Sequence, residues 1–305
     1  MKSKVYVFFG MVVLVANSVL AQKGLLEILD EEQEDIPQYT MATFKATRIS
    51  YGHSVETRKK GILEISMTTR FWNTPSLNSQ SFVADKMNAR IALEYGMSDR
   101  FSVGVGGSTW DGLFDTYFKY RLLRQRDDKK GSFLSITLFQ NASYNSEAIA
   151  LPSRATGFSK RLSFTSQALI ARKFTHDFSF QITPTFVHRP LRFTEEPPKN
   201  YVALGFGGRY KLGAHLALVS EYYLVGGNRS ESYPTYGPFS IGTNWELGDV
   251  MLQFMLTNAS HIVEDAFITG TQYNFNFKNP NLNFGFRATY VIHFNRKLKG
   301  LKLQN

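Results

Sequence analysis

The chain has 305 residues and no cysteine, with 35 Lys plus Arg against 25 Asp plus Glu. Disulfides, thiol catalysis and thiolate metal sites are excluded, and the length admits one large domain or two ordinary ones. The basic excess falls on no soluble module carrying a basic-aromatic motif, so nucleic acid is a poor partner.

Lys2 and Lys4 precede an apolar run from Val5 to Val15, and Val19-Leu20-Ala21 follow it. These are the three parts of a secretory signal peptide, residues 1–21, with cleavage expected after Ala21; the run is too short to span a bilayer comfortably. Gln22 follows the cleavage site, which excludes a lipid-modified N-terminal cysteine. Residues 22–60 read as an N-terminal periplasmic segment. It carries an acidic cluster at Glu31, Glu32, Glu34 and Asp35, then Pro37. Its second part, with Lys45, Arg48, His53 and Glu56, is a candidate plug.

From Gly61 onward apolar and polar residues alternate. Leu63, Ile65, Met67 and Phe71 oppose Glu64, Ser66, Thr68 and Arg70. Met87, Ala89, Ile91, Leu93 and Tyr95, then Phe101, Val103 and Val105, form a hairpin around Gly96–Asp99. A period of two marks strands with one greasy face, and the same reading continues to Phe294. Twelve strands result, each of the length a tilted membrane strand requires. The connections support the same fold. Gly96–Asp99, Arg124–Gly131, Thr175–Asp177, Leu212-Gly213 and Gly248-Asp249 are short, while Asn73–Lys86, Ser143–Lys160, Arg189–Lys199, Gly226–Tyr236 and Ala259–Pro280 are longer. Only Ser108–Leu113 interrupts this order. Segregated loops are a property of outer-membrane barrels, with short turns in the periplasm and long loops outside. The fold class is therefore all-β: a closed antiparallel transmembrane β-barrel over residues 61–294, with a basic tail at 295–305.

The stretches TFKATRISYGHSVETRKKG (43–61), IALEYGMSDRFSVGVGG (91–107) and FKYRLLRQ (118–125) resemble a family of bacterial outer-membrane β-barrels of unknown function. The resemblance implies a Gram-negative outer membrane and a single barrel domain. It brings no activity, ligand or catalytic residue. Asn283, Gly285, Ala288 and Tyr290, continuing to Phe294, resemble the C-terminal targeting pattern of such barrels, which implies the barrel-assembly machinery as a partner besides outer-membrane lipid.

On this topology Glu64, Arg90, Glu94, Asp115, Lys119, Arg121, Arg209, Glu221, Glu246 and Arg287 face the lumen. Charges buried in lipid are prohibitive, so the inward assignment follows from the barrel. They either pair and close the interior or line a narrow wet passage. Arg124, Arg126, Lys129, Lys130, Arg172, Lys173 and Lys211 make the short-turn rim basic, suited to anionic headgroups or the acidic leader. The six histidines lack metal-ligand spacing, so neither a metal nor any other cofactor is expected. His53-Ser54-Val55-Glu56 holds the residue types of a hydrolytic site without a nucleophile elbow, so no catalytic residue is assigned, although Ser54 with His261 or His293 remains an open combination. The glycines of Val103–Gly107 read as relief of crowding where the wall curves. The expectation is a non-enzymatic barrel acting as a narrow passive channel for small solutes. The alternative is a closed structural barrel that binds an envelope protein.

Overall fold

The computed structural model describes residues 38–73, 84–128, 131–146, 157–190, 200–226, 234–275 and 282–294. The signal segment, the acidic leader, Lys129, Lys130 and the basic tail lie outside the described residues. Residues from Thr40 onward belong to one compact unit.

Twelve strands form among the described residues, in the order β1 (Ile62–Trp72), β2 (Lys86–Gly96), β3 (Phe101–Ser108), β4 (Leu113–Leu123), β5 (Ser135–Asn145) and β6 (Leu162–Lys173). They continue with β7 (Phe178–His188), β8 (Asn200–Lys211), β9 (Leu216–Gly226), β10 (Phe239–Leu247), β11 (Val250–Thr257) and β12 (Asn283–His293). Each pairs antiparallel with its sequence neighbours, and β12 closes on β1 with Ile62 opposite His293 and Phe71 opposite Phe284. Closure removes both edges, so no ladder group is left unpaired in hydrocarbon.

The period of two explains which residue faces where. Ile91, Phe114 and Val202 stand outward and are 61%, 60% and 66% exposed, values no soluble core would leave bare. Their neighbours Arg90, Asp115 and Tyr201 point inward and are buried. Short turns are fixed by their own side chains. Ser98 accepts hydrogen bonds from the Arg100 and Phe101 amides (3.3 and 3.0 Å), and Thr175 does the same for Asp177 and Phe178 (3.3 and 3.0 Å). At the two-residue turn between β10 and β11, Gly248 takes φ +67°, a left-handed conformation that a side chain resists.

Two glycines of β3 relieve crowding, as the sequence suggests. A Cβ on Gly104 would lie 2.2 Å from the Tyr117 ring, and one on Gly106 would lie 2.4 Å from the Arg90 guanidinium. They make room for large inward side chains from the neighbouring strands.

The interior is filled. Residues 40–60 run inside the wall, and from the opposite end the segment after β11 folds inward around a single short helix, α1 (Glu264–Gly270), all seven residues of which are buried. Glu264 and Asp265 suit its first turn, where the helix dipole favours acids. The hydroxyls of Thr269 and Thr271 donate to the Asp265 and Phe267 carbonyls (2.7 Å each). Periodicity predicts no helix here, and the segment reads as an outer loop.

Candidate functional site

Residues 40–60 enter and leave at the short-turn end. The Thr40 amide donates to the Gln125 carbonyl (3.0 Å), and its hydroxyl donates to Asp127 (2.5 Å). At the exit the Gly61 amide donates to the Gly96 carbonyl (2.9 Å). Between these points the chain makes a hairpin within the lumen. Arg48 bridges His53, and the Ile49 and Ser54 amides donate to the Gly52 and Thr47 carbonyls (3.0 and 2.9 Å).

The tip of this hairpin rests on one carboxylate. Glu221 of β9 accepts from the Ser50, Tyr51 and Gly52 amides at 2.8, 2.7 and 3.0 Å. Side chains from several other strands hold the flanks. Lys119 donates to the Thr47 and Glu56 carbonyls (2.9 and 3.0 Å), Thr137 to the Val55 carbonyl (2.7 Å) and Gln253 to the Ile49 carbonyl (2.9 Å). Gln181 both accepts from the Val55 amide and donates to the His53 carbonyl (2.8 Å each). The backbone of an irregular segment buried in a barrel needs such partners, because the ladder supplies none.

Charge is paired across the lumen. Glu64 accepts from Thr47 (2.9 and 3.0 Å), from Arg287 (2.8 Å) and from Arg58. Arg90 grips Asp115 with two bonds (2.9 and 2.6 Å). Glu94 accepts from Ser102 and Tyr117 (2.9 and 3.1 Å), with Lys119 at 4.0 Å. At the short-turn mouth Arg121 meets Glu56 (2.9 Å) and Lys45 meets Glu246 (2.8 Å). Lys45, Glu56, Arg58 and Arg121 line a cavity of about 770 Å³ between segment 40–60 and the wall.

Apolar packing completes the closure on one side. Phe44, Ile49 and Val55 pack with Tyr117, Phe139, Leu169, Ala171 and Val219 of the wall. Tyr51 packs with Tyr201, Tyr223 and the α1 residues Phe267 and Ile268. The two inserted segments also touch through charge: Arg48 pairs with Glu264 at 2.6 Å, and His53 Nε2 lies 3.4 Å from the same carboxylate. Burial, then the charges of Arg48 and Lys119, hold the His53 imidazole well below its usual pKa, so it stays neutral. Burial pushes the Glu264 carboxyl up, against the pull of Arg48.

Of the ten residues predicted to line the lumen, the structure buries Glu64, Arg90, Glu94, Asp115, Lys119, Arg209, Glu221 and Arg287 inside the wall. Arg121 and Glu246 sit half-buried at the mouth. Among the four plug residues, Arg48 and His53 are deep, whereas Lys45 and Glu56 are at the mouth. Ser54 donates to the Ala46 carbonyl (2.6 Å), and His261 is bound to Asp111 (2.8 Å), so neither holds the other. Sequence reasoning missed Glu264 and Asp265, which pair with Arg48 and Arg189 (2.6 and 3.4 Å), and the inward aromatic residues Tyr117, Tyr201 and Tyr223. Arg70 already stood in the alternation of β1 and could have joined the lining set.

No curated protein matches the chain. Among solved structures it is similar to the KdgM porin, at 9% identity over 76% of this chain and 99% of that one, with a TM-score of 0.47. It is also similar to an outer membrane channel from Pseudomonas putida F1, at 12% identity over 78% and 98%, with a TM-score of 0.48. The family described as "Membrane bound beta barrel domain (DUF5777)" matches residues 44–292, and the chain belongs to that family of membrane-bound β-barrels.

Proposed function

We propose that this is a non-enzymatic outer-membrane channel for small solutes, resting in a closed state. Its signal peptide, residues 1–21, is removed, and the barrel-assembly machinery inserts residues 61–294. One observation carries the reading: each inserted segment hangs from its own end of the barrel. Segment 40–60 is tethered at the short-turn rim and the α1 segment at the long-loop rim. Either can be drawn toward its end without breaking a strand pair.

The apolar clusters that join Phe44, Ile49 and Val55 to the wall favour a second reading, a permanently sealed barrel that binds an envelope protein. Planar-bilayer recording of the purified protein separates the two. The channel reading expects rare conductance steps from the native chain and frequent ones from Glu221→Gln. No conductance above background from either leaves the sealed barrel.

A further inference from the structure

Four lumen arginines carry hydrogen-bond donors that meet no acceptor among the described residues: Arg209 with its Nε alone, and Arg48, Arg70 and Arg287. Arg70 of β1 is 1% exposed; its Nη1 donates to the Thr69 carbonyl (3.0 Å), while Nε and Nη2 are unpartnered. Arg287 of β12 gives Nη2 to Glu64, and its Nε and Nη1 are unpartnered. Arg48 of the inserted hairpin gives Nη1 to the Tyr51 carbonyl (2.5 Å) and to Glu264, which leaves Nη2.

The register brings these groups together. Arg70 lies opposite Gly285, and Arg287 lies two residues further along the same strand and face. Diagonal neighbours of this kind stand about 7–8 Å apart at the backbone, within reach of long side chains. Gly285 admits the Arg70 side chain against the wall, since a Cβ there would lie 2.7 Å from Arg70 Nη1. Arg70 feels the like charges of Arg48 and Arg287 ahead of the opposite charge of Glu221, and Arg287 feels Glu64 first and then Arg48. Arg70 forms no ion pair among the described residues, unlike Arg90, whose guanidinium is fully engaged with Asp115.

A buried guanidinium without a counter-charge costs several kcal/mol, and two like charges beside it add to that cost. Water satisfies the donors but leaves the charge. A cation is repelled. The guanidinium fork matches the paired oxygens of phosphate or carboxylate.

We propose that Arg48, Arg70 and Arg287 form a binding site for one small oxyanion, of the phosphate or carboxylate class, between the inserted hairpin and the β1–β12 wall. The site joins the hairpin to the barrel through a bound ion. It does not depend on the channel reading, because a sealed barrel would hold the same ion.

The test uses the full chain refolded in detergent micelles with inorganic phosphate, acetate or chloride at equal ionic strength. Refolding in the presence of the anion removes the question of access. The thermal midpoint is expected to rise saturably with phosphate or acetate and not with chloride, and the two arms tell the oxyanion classes apart. Arg70→Gln is expected to weaken this dependence at least tenfold while the midpoint without anion stays at or above the native one, because an unpaired buried charge has gone. Arg209→Gln, at the short-turn rim, keeps the full dependence. No saturable rise in the native chain refutes the site, as does an undiminished rise in Arg70→Gln. If Arg70→Gln does not refold, Arg287→Gln takes its place, and the native titration alone still decides.

Discussion

The sharpest test of the inserted hairpin is Glu221→Gln. A single carboxylate oxygen accepts three backbone amides, from Ser50, Tyr51 and Gly52. Hydrogen bonds to a charged group contribute about 1.5–3 kcal/mol each, roughly twice a neutral bond. In alkaline buffer, where the Glu221 carboxyl is ionised, glutamine keeps an acceptor oxygen but loses the charge, so about half of that contribution goes, or about 3 kcal/mol over three bonds. At about 1.4 kcal/mol per decade, the population with the hairpin tip lifted rises about 100-fold. The natural chain has no cysteine, so Ser54→Cys supplies a unique reporter at a fully buried position two residues beyond the tip. Where lifting is fast relative to modification, the rate of thiol labelling follows the lifted population. Labelling of Ser54→Cys with a polar maleimide should therefore accelerate about 100-fold when Glu221→Gln is added, with the barrel still folded by its heat-modifiable gel mobility. An acceleration below about threefold would show that Glu221 does not hold the tip.

Acid should loosen the same region through His53. Its folded pKa is lowered, so the unfolded chain takes up a proton below about 6.5 that the folded chain refuses, and stability falls by about 1.4 kcal/mol per pH unit below that point. The slope is read as the difference between the native chain and His53→Gln in urea unfolding from pH 6.5 to 5, which cancels the opposing titration of Glu264; identical slopes would contradict it. On the outer surface Leu93, in the middle of β2, faces hydrocarbon, so Leu93→Arg is expected to cost about 2–4 kcal/mol in vesicle unfolding, and a cost under about 1 would place Leu93 away from the bilayer core.

The barrel was legible because lipid demands uniformity on one face. Outward positions must be mostly apolar, so Phe114, Phe118 and Tyr120 share the outer face of β4 with only Thr116 among them, whatever lies inside. The inward face obeys no such rule once another segment covers it. Leu169 is fully buried against the inserted hairpin, yet in the run Ala168-Leu169-Ile170 it looks the same as its lipid-facing neighbours. The hairpin has no periodicity to read, since its amides are satisfied one by one by Glu221, Gln181 and carbonyls of the hairpin itself. Helix α1 is seven residues long and opens with two acids, which from the sequence alone suit an exposed loop. Only the fold brings Arg48 and Arg189 to them.

The two sides of the lumen differ in kind, and that difference bears on how a channel of this build could open. The inward faces of β4, β5, β6 and β9 offer Tyr117, Phe139, Leu169 and Val219 beside the charged Asp115, Lys119 and Glu221, whereas those of β1, β2 and β12 offer polar groups such as Glu64, Arg90 and Arg287. The hairpin matches both, with Phe44, Ile49 and Val55 on the first and Thr47 and Arg58 bonded to Glu64 on the second. Its orientation is thereby fixed, since a half-turn would bury charge against apolar wall. Returning those three apolar side chains to water costs about 1.5–3 kcal/mol each, before any matching exposure of the wall. Lifting the tip from Glu221 escapes the part of that cost that falls on Phe44 and Val55, although it still unpacks Tyr51 from Tyr201, Tyr223 and Phe267. Withdrawal of the whole segment does not escape it. On the channel reading, full opening therefore takes more than release of Glu221, and it draws on the chain before Thr40 or on the loop that carries α1.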